Sequence, residues 1–311
     1  LSVVLTGTHF NLFARDAKRI VINIDQNELD NETVKVDLGI QSDAKEFLLK
    51  AFDFNIEFNE SVHAWKKQCR IYNSYNKTDT KNEKKTKPVN PYTFLSHLNK
   101  YLTKDDVIVV DGGGTVVYTS FQTLEFKLGQ RVLCSSAIGA MGTGLPESVG
   151  ACFASGLKRT ICLCGDGSMQ LNVQELETIV HNKLPVKIFL FNNSGYLSIR
   201  GTQEGFLNSN YAGSSIEGGM SLPDFKEIAK AYGIKVFQIK NYGSVAKGLK
   251  STLDSKGPSF CEVIMPSDQK IEPTQGFKDN GDGTFSPAPL EDMAPFLDRE
   301  EFYKLMVTKP I

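Results

Sequence analysis

The sequence predicts an α/β protein built on a parallel, doubly wound sheet with helices on both faces. Two observations predict it. From Asn90 onward, short apolar runs alternate with amphipathic stretches of helical period, the rhythm of strand–helix–strand units. The chain is also 311 residues long, too long for one small domain and suited to one large α/β unit with an accessory piece.

Composition narrows the function classes. Apolar residues make up 41% and charged residues 23%, ordinary globular values that exclude wholesale disorder. Lys plus Arg is 35 against 36 for Asp plus Glu, a net charge of -1. Such a balance has no bias toward polyanions, so nucleic acid is not an expected partner. No apolar run reaches the length of a membrane span, and no membrane is expected. Residues 1–8 are apolar but short, with no basic segment before them, and read as a strand rather than a signal peptide. The six cysteines form no CxxC pair, and Cys162 and Cys164 alternate onto one face of a strand. They read as reduced core thiols of a cytoplasmic protein. The four histidines show no metal-ligand spacing, which argues against a histidine zinc site.

The elements follow in order. Residues 1–7 form a strand ending in a turn at Gly7, and residues 19–25 a second strand. Asp43 caps a helix running to about Ala51. Two strands and a helix bury too little to be stable alone, so this α/β unit reads as one cut through the middle. A helix carrying Trp65 and Cys69 comes next. The lysine-rich, acid-interspersed residues 77–87, closed by Pro88 and Pro91, read as a solvated linker. Strands are expected at 107–110, 131–134, 160–164, 186–192, 235–238 and 259–264. Helices are expected at 145–155, 173–182, 223–232 and 244–253. Beyond Pro266 the chain is rich in Gly, Pro and Asp and ends in a short helix over 298–306. Four segments result: a partial α/β domain at 1–60, a helix and linker at 61–90, the main domain at 91–266, and an extension at 267–311.

One stretch carries chemistry. The strand at 160–164 delivers Gly165-Asp166-Gly167-Ser168 at its carboxyl end, and the strand at 186–192 delivers Asn192-Asn193-Ser194-Gly195. Twenty-four residues separate Gly167 from Asn192, enough for one helical crossover. Adjacent strand ends therefore present a carboxylate and an amide oxygen to one point. All-oxygen ligation suits Mg²⁺, which takes its remaining ligands from phosphate and water. Gly165 and Gly167 let backbone N–H groups approach an anion. Gly-Asp-Gly alone is also a turn signal. The order strand, GDGS, helix, strand, NN is far more specific.

That order resembles the thiamine diphosphate motif of the acetolactate synthase and pyruvate oxidase superfamily. Residues 137–150, Ala-Ile-Gly-Ala-Met-Gly-Thr-Gly-Leu-Pro-Glu-Ser-Val-Gly, resemble its GxMGxGLPxAxGA segment. The resemblance implies a thiamine diphosphate fold at 91–266 and assigns roles. Asp166 and Asn193 would hold Mg²⁺ through their side chains and Gly195 through its carbonyl. Ser168 and the loop Asp111-Gly112-Gly113-Gly114-Thr115 would reach the diphosphate, Gly114 and Thr115 without the Gln and His common in the family. Gly139 would receive the aminopyrimidine on its carbonyl and Met141 would prop the bent cofactor. Gly165, Gly167 and Tyr196 complete the cofactor set. Asn172, Gln174 and Glu175 read as capping and interface residues. Residues 1–47 resemble the second half of the family's middle domain, which implies a partial Rossmann-like fold at 1–60. The turn Gly7-Thr8-His9-Phe10 lacks the arginine that follows it in acetolactate synthases, which counts against FAD.

In this family the cofactor-activating glutamate lies in an N-terminal pyrimidine-binding domain that no part of this chain resembles. No catalytic residue is therefore assigned. The chain reads as a carboxyl-terminal fragment, inactive alone, of a homodimer or tetramer. Its partner would cover an apolar face around Met141, Leu145 and residues 173–180. Residues 192–206 align without gaps onto the acetolactate synthase substrate loop. There Ser198 stands for a methionine, Ile199 for a valine and Thr202 for a tryptophan that shapes the acceptor site. Arg200 reads as a partner for a carboxylate or phosphate, or as a solvent-facing arginine. The stretch 287–301 resembles endings of synthase-like proteins among surface-polysaccharide enzymes. The implied activity is a carboligase that decarboxylates a 2-keto acid such as pyruvate. The acyl unit would pass to a carbonyl acceptor, with a nucleotide-linked keto-sugar as a candidate. A simple 2-keto acid decarboxylase and a non-catalytic protein with the same fold are the alternatives.

Overall fold

A computed structural model describes residues 6–7, 9–54, 60–75, 85–135 and 138–310. They form two compact units, one of residues 1–77 with 272–311 and one of residues 78–271.

The first unit pairs β1 (Ile20–Asn23) in parallel with β2 (Leu38–Gln41), joined through the short α1 (Gln26–Leu29). Helix α2 (Ala44–Asp53) starts where expected, because Asp43 accepts from the N–H groups of Lys45 and Glu46 and satisfies two orphan donors. Helix α3 (Glu60–Tyr75) carries Trp65 and Cys69. The strand expected at 1–7 falls outside the described residues except for Thr6, which is helical, and Gly7, whose φ of 74° makes the expected turn. Most of the lysine-rich stretch also lies outside them.

The second unit holds the sheet. After α4 (Pro91–Leu98) come β3 (Val107–Val110), α5 (Gly114–Thr123), β4 (Arg131–Cys134), α6 (Gly144–Ala154) and β5 (Thr160–Gly165). Then follow α7 (Asp166–Met169), α8 (Glu175–His181), β6 (Val186–Asn192), α9 (Leu197–Phe206) and α10 (Phe225–Ala231). The last are β7 (Lys235–Ile239), α11 (Val245–Leu253) and β8 (Ser259–Ile264). The strand order is β4-β3-β5-β6-β8-β7, and every pairing is parallel. Period-two alternation divides the core. Ile108, Val110, Ile161, Leu163, Phe189 and Phe191 turn to a layer holding α4, α5 and α11. Cys162, Cys164, Ile188, Leu190 and Phe260 turn to the layer of α6, α8 and α10. Phe94 of α4 packs its ring 5.4 Å from both Phe189 and Phe191, an aromatic cluster at the centre of the sheet. Burial pushes the Cys162 and Cys261 thiols up to about 12, so both stay protonated and inert.

Lys187 is the one lysine of β6, and its side chain is buried. Its ammonium donates to the carbonyls of Ser255 and of Gly257, the latter at 2.7 Å. Burial, helped by the nearby Arg159 charge, lowers its pKa to about 8. A neutral amine still has two N–H donors for the two carbonyls. Between pH 8 and roughly 10.4, the ordinary lysine value, the unfolded chain holds the extra proton, so this group's contribution to stability rises with pH. Denaturant titrations of wild type and Lys187→Met should show their difference moving in favour of wild type between pH 7.5 and about 9.5. A flat or falling difference would contradict this.

The tail of the first unit holds four short strands and a helix. Strand β9 (Thr274–Gln275) precedes β10 (Phe277–Asp279), which pairs antiparallel with β11 (Phe285–Pro287). Strand β12 (Met293–Ala294) returns to pair with β9. Helix α12 (Arg299–Leu305) is capped by Asp298, and Arg299 makes a forked pair with Asp292 at 2.8 and 3.1 Å. No helix among the described residues is long and apolar enough to cross a membrane.

Candidate active site

The chain leaves β3 for β4 on one side and returns to β5 on the other. The carboxyl ends of β3 and β5 therefore flank a topological switch point, where open parallel sheets leave a crevice. The loops after β3, β5 and β6 line an open cavity there.

Asp166 sits at the floor, just past the end of β5, almost wholly buried. One carboxylate oxygen accepts from the Gly167 N–H at 2.7 Å. The other accepts from the N–H groups of Asn193 at 3.1 Å and Gly195 at 3.0 Å, which join it to the end of β6. Burial raises its pKa to about 6 in spite of those three donors and the Arg200 charge. The two asparagines of the NN pair divide the work. Asn192 is structural: its oxygen accepts from Ser194 N–H at 3.1 Å and its amide donates to Glu262 at 2.7 Å. Asn193 is 5% exposed, and its side-chain oxygen is buried without any hydrogen-bond donor. Leaving an amide oxygen so costs on the order of 1–3 kcal/mol.

Glycines bring backbone where side chains would obstruct. A methyl group on Gly167 would fall 2.2 Å from the Tyr196 ring. One on Gly195, whose φ is 126°, would fall 2.2 Å from the Met220 methyl. One on Gly114 would fall 2.3 Å from the Ser198 hydroxyl oxygen, so the start of α9 rests against the start of α5.

The cavity brings most of the expected residues together. Gly114, Thr115 and Met141 line it. So do Gly165, Asp166, Gly167 and Ser168, and, from the next strand end, Asn193, Gly195 and Tyr196. Ser198 and Ile199 also line it. Gly139 and Thr202 are not among the lining residues. Gly139 has φ 64°, and the Thr202 hydroxyl donates to the Ser198 carbonyl at 3.3 Å. Arg200 meets neither a phosphate site nor solvent: it is buried and spends its guanidinium on backbone carbonyls. Asn172 does not cap a helix but donates to the Gly142 carbonyl at 2.7 Å, steadying the loop that carries Met141.

Two contributors were not singled out from sequence. Asp111 is fully buried and joins two loops, accepting from Gly113 N–H at 3.1 Å and from Gly144 N–H, at the start of α6, at 2.7 Å. A carboxylate before three glycines was the available signal. Glu262 of β8 is also buried, and receives Asn192, Gln238 at 2.6 Å and the Lys226 ammonium at 3.1 Å.

Residues 111–263, which span this crevice, match the family described as thiamine pyrophosphate enzyme, C-terminal TPP binding domain. This part of the chain belongs to the thiamine pyrophosphate enzymes. The acetolactate synthase large subunit of Porphyra purpurea is 29% identical over 272 residues, 84% of this chain and 44% of that protein. That of Lactococcus lactis is 29% identical over 268 residues, with the same shares covered. That of Pyropia yezoensis is 31% identical over 218 residues, 70% of this chain and 35% of that protein. The chain thus spans less than half the length of these relatives.

The residues present fit the group that a thiamine pyrophosphate enzyme carries. The unpaired oxygen of Asn193 lacks a positive partner, and Asp166 is a buried carboxylate with no ion pair within 4 Å among the described residues. The Gly195 carbonyl accepts from Leu197 N–H at 3.0 Å and keeps a second lone pair. Carboxylate, amide and carbonyl oxygens form a hard donor set suited to Mg²⁺ rather than to a softer metal. Among the described residues no cluster of His, Cys, Asp and Glu offers an alternative metal site.

Proposed function

We propose that this chain supplies the diphosphate-binding part of a thiamine diphosphate- and Mg²⁺-dependent carboligase of the acetolactate synthase type. It would decarboxylate a 2-keto acid, pyruvate foremost, and pass the acyl unit to a carbonyl acceptor in the cytoplasm. The orphaned Asn193 oxygen beside the buried Asp166 carries the reading. Thiamine diphosphate, when bound, supplies the carbon nucleophile and electron sink for such chemistry. The protein's part is to bind and orient. Asp166, Asn193 and the Gly195 carbonyl would hold the metal. Ser168, Gly114 and Thr115 would face the diphosphate, and Met141 would support the cofactor from the side. Of the apolar face expected around Met141, Leu145 and residues 173–180, Leu145, Leu176 and Ile179 are core residues, while the exposed Met141 and Phe153, with the half-buried Val173, support a homodimeric or tetrameric assembly of the whole protein.

The test is titration with thiamine diphosphate with and without Mg²⁺, followed by product analysis on the longest natural form of the protein. Mg²⁺-dependent binding, and a carboligation product from pyruvate when a ketone or aldehyde is added, are expected. Release of aldehyde alone, whatever acceptor is offered, would favour a simple decarboxylase. No binding at all would favour a non-catalytic protein.

A further inference from the structure

Arg200, on the first turns of α9, is 9% exposed. Its Nη1 donates to the carbonyls of Ser194 and Ser214, each at 3.1 Å. Its Nη2 donates to the carbonyl of Asn193 at 3.1 Å and of Ser267 at 2.8 Å. Among the described residues no carboxylate lies within ion-pair distance of it. A buried guanidinium without a counter-ion is costly, so what it holds in exchange is informative. The four carbonyls come from three separate stretches: the loop after β6, the loop at Ser214, and the segment after β8.

One of these bonds has a defined chemical partner. The Ser194 carbonyl and the Gly195 N–H belong to the same peptide group, which is planar and puts them on opposite sides. Arg200 holds the oxygen at one end, while the N–H at the other end donates to Asp166 at 3.0 Å. A cation and an anion thus face each other through one polarised peptide, an arrangement in which each hydrogen bond strengthens the next. The peptide is not in a relaxed setting. Ser194 has φ 62° and Gly195 φ 126°, backbone that is held only by what surrounds it. A methyl group on Gly195 would come within 3.0 Å of Arg200 Nη1, so the guanidinium lies directly against this turn.

The geometry points to Arg200 as a positioning residue that fixes the Ser194–Gly195 peptide, and through it the Asp166 carboxylate and the Gly195 carbonyl. Only the ligand of those groups rests on the function proposed above. Lysine cannot replace arginine here, because one ammonium with three donors cannot span four carbonyls from three segments.

The test has two arms. In the unliganded protein, amide hydrogen exchange is read at Gly195, with Leu163 as the reference. In Arg200→Lys and Arg200→Met the Gly195 amide should exchange at least about 10-fold faster than in wild type, while the Leu163 amide, in β5, keeps its protection. Unchanged Gly195 exchange would overturn the proposal whether or not a cofactor binds. The second arm measures Mn²⁺ by electron paramagnetic resonance during titration with thiamine diphosphate. Both variants should bind about 10- to 100-fold more weakly, the range for residues that orient metal ligands. Lys187→Met, also a buried cation but at the other end of β6, should bind like wild type. If wild type binds and the Arg200 variants bind equally well, the positioning role is wrong. If wild type does not bind, the cofactor reading fails and the exchange result alone decides the role of Arg200.

Discussion

Asp166→Ala should reduce Mg²⁺-dependent thiamine diphosphate binding by two orders of magnitude or more, an order-of-magnitude expectation for loss of the sole charged ligand. The loss has two parts. The variant removes the negative charge that faces the metal. It also strands the N–H groups of Gly167, Asn193 and Gly195, which all donate to this carboxylate. The stability of the unliganded variant separates binding from folding. Burial holds the free carboxylate up at about 6, so its charge at neutral pH is itself unfavourable without a cation. Removing it relieves that cost while three donors lose a partner, and the two effects oppose each other. Unfolding curves should therefore move far less than cofactor affinity. Undiminished, Mg²⁺-dependent binding by Asp166→Ala would refute the metal assignment. Isothermal titration on wild type and variant, with and without Mg²⁺, reads the result directly.

The parts of this fold that were legible in the sequence are those set by local pattern. Strands 107–110, 131–134, 186–192 and 259–264 have the bounds expected from the sequence. At 107–110, inside the sheet, both faces are buried, so the apolar run and the strand coincide. Helix bounds were less sharp. The expected helix at 173–182 begins at Glu175, because a 3-10 turn at Gln170–Asn172 intervenes after α7. Asp166 and Asn193 were legible because GDGS and NN sit at fixed strand ends. Arg200 was not. Its acceptors include Ser214 and Ser267, 14 and 67 residues further along, and no local pattern says that two distant loops turn their carbonyls to one guanidinium. The loop-joining role of Asp111 was hidden for the same reason, since its second partner, Gly144, lies 33 residues away.

Thr202→Trp and Ser198→Met should each shift acceptor preference toward small 2-keto acids, and the pair together by about 10- to 100-fold, a range typical of pocket-filling contacts. Ser198 lines the cavity, and Thr202 follows it by one turn on α9, its hydroxyl bonded back to the Ser198 carbonyl. Helical side chains lean toward the amino end of their helix. A residue at 202 therefore covers the turn that carries Ser198, and an indole there would extend over the cavity mouth where threonine leaves it open. At Ser198 the hydroxyl lies against the backbone of Gly114, a close approach that a side chain on Gly114 would forbid. A thioether in place of that hydroxyl would fill apolar volume that now holds a small polar group. With a short hydroxyl-bearing side chain on the lining at 198 and another one turn beyond it at 202, wild type is expected to pack less well against a methyl-sized ketone and to leave more room for a ring bearing hydroxyls. Wild type should accordingly make acetolactate from pyruvate poorly and accept a bulkier ketone, such as a nucleotide-linked keto-sugar, better. Competition kinetics with pyruvate as donor and paired small and bulky acceptors measure the ratio. If pyruvate or 2-ketobutyrate outcompetes every bulky carbonyl in wild type, and the double variant leaves the ratio unchanged, acceptor size is not set by these two positions. The selecting contact would then have to lie elsewhere around the cavity, with Ile199, which also lines it and is 44% exposed, the next residue to vary.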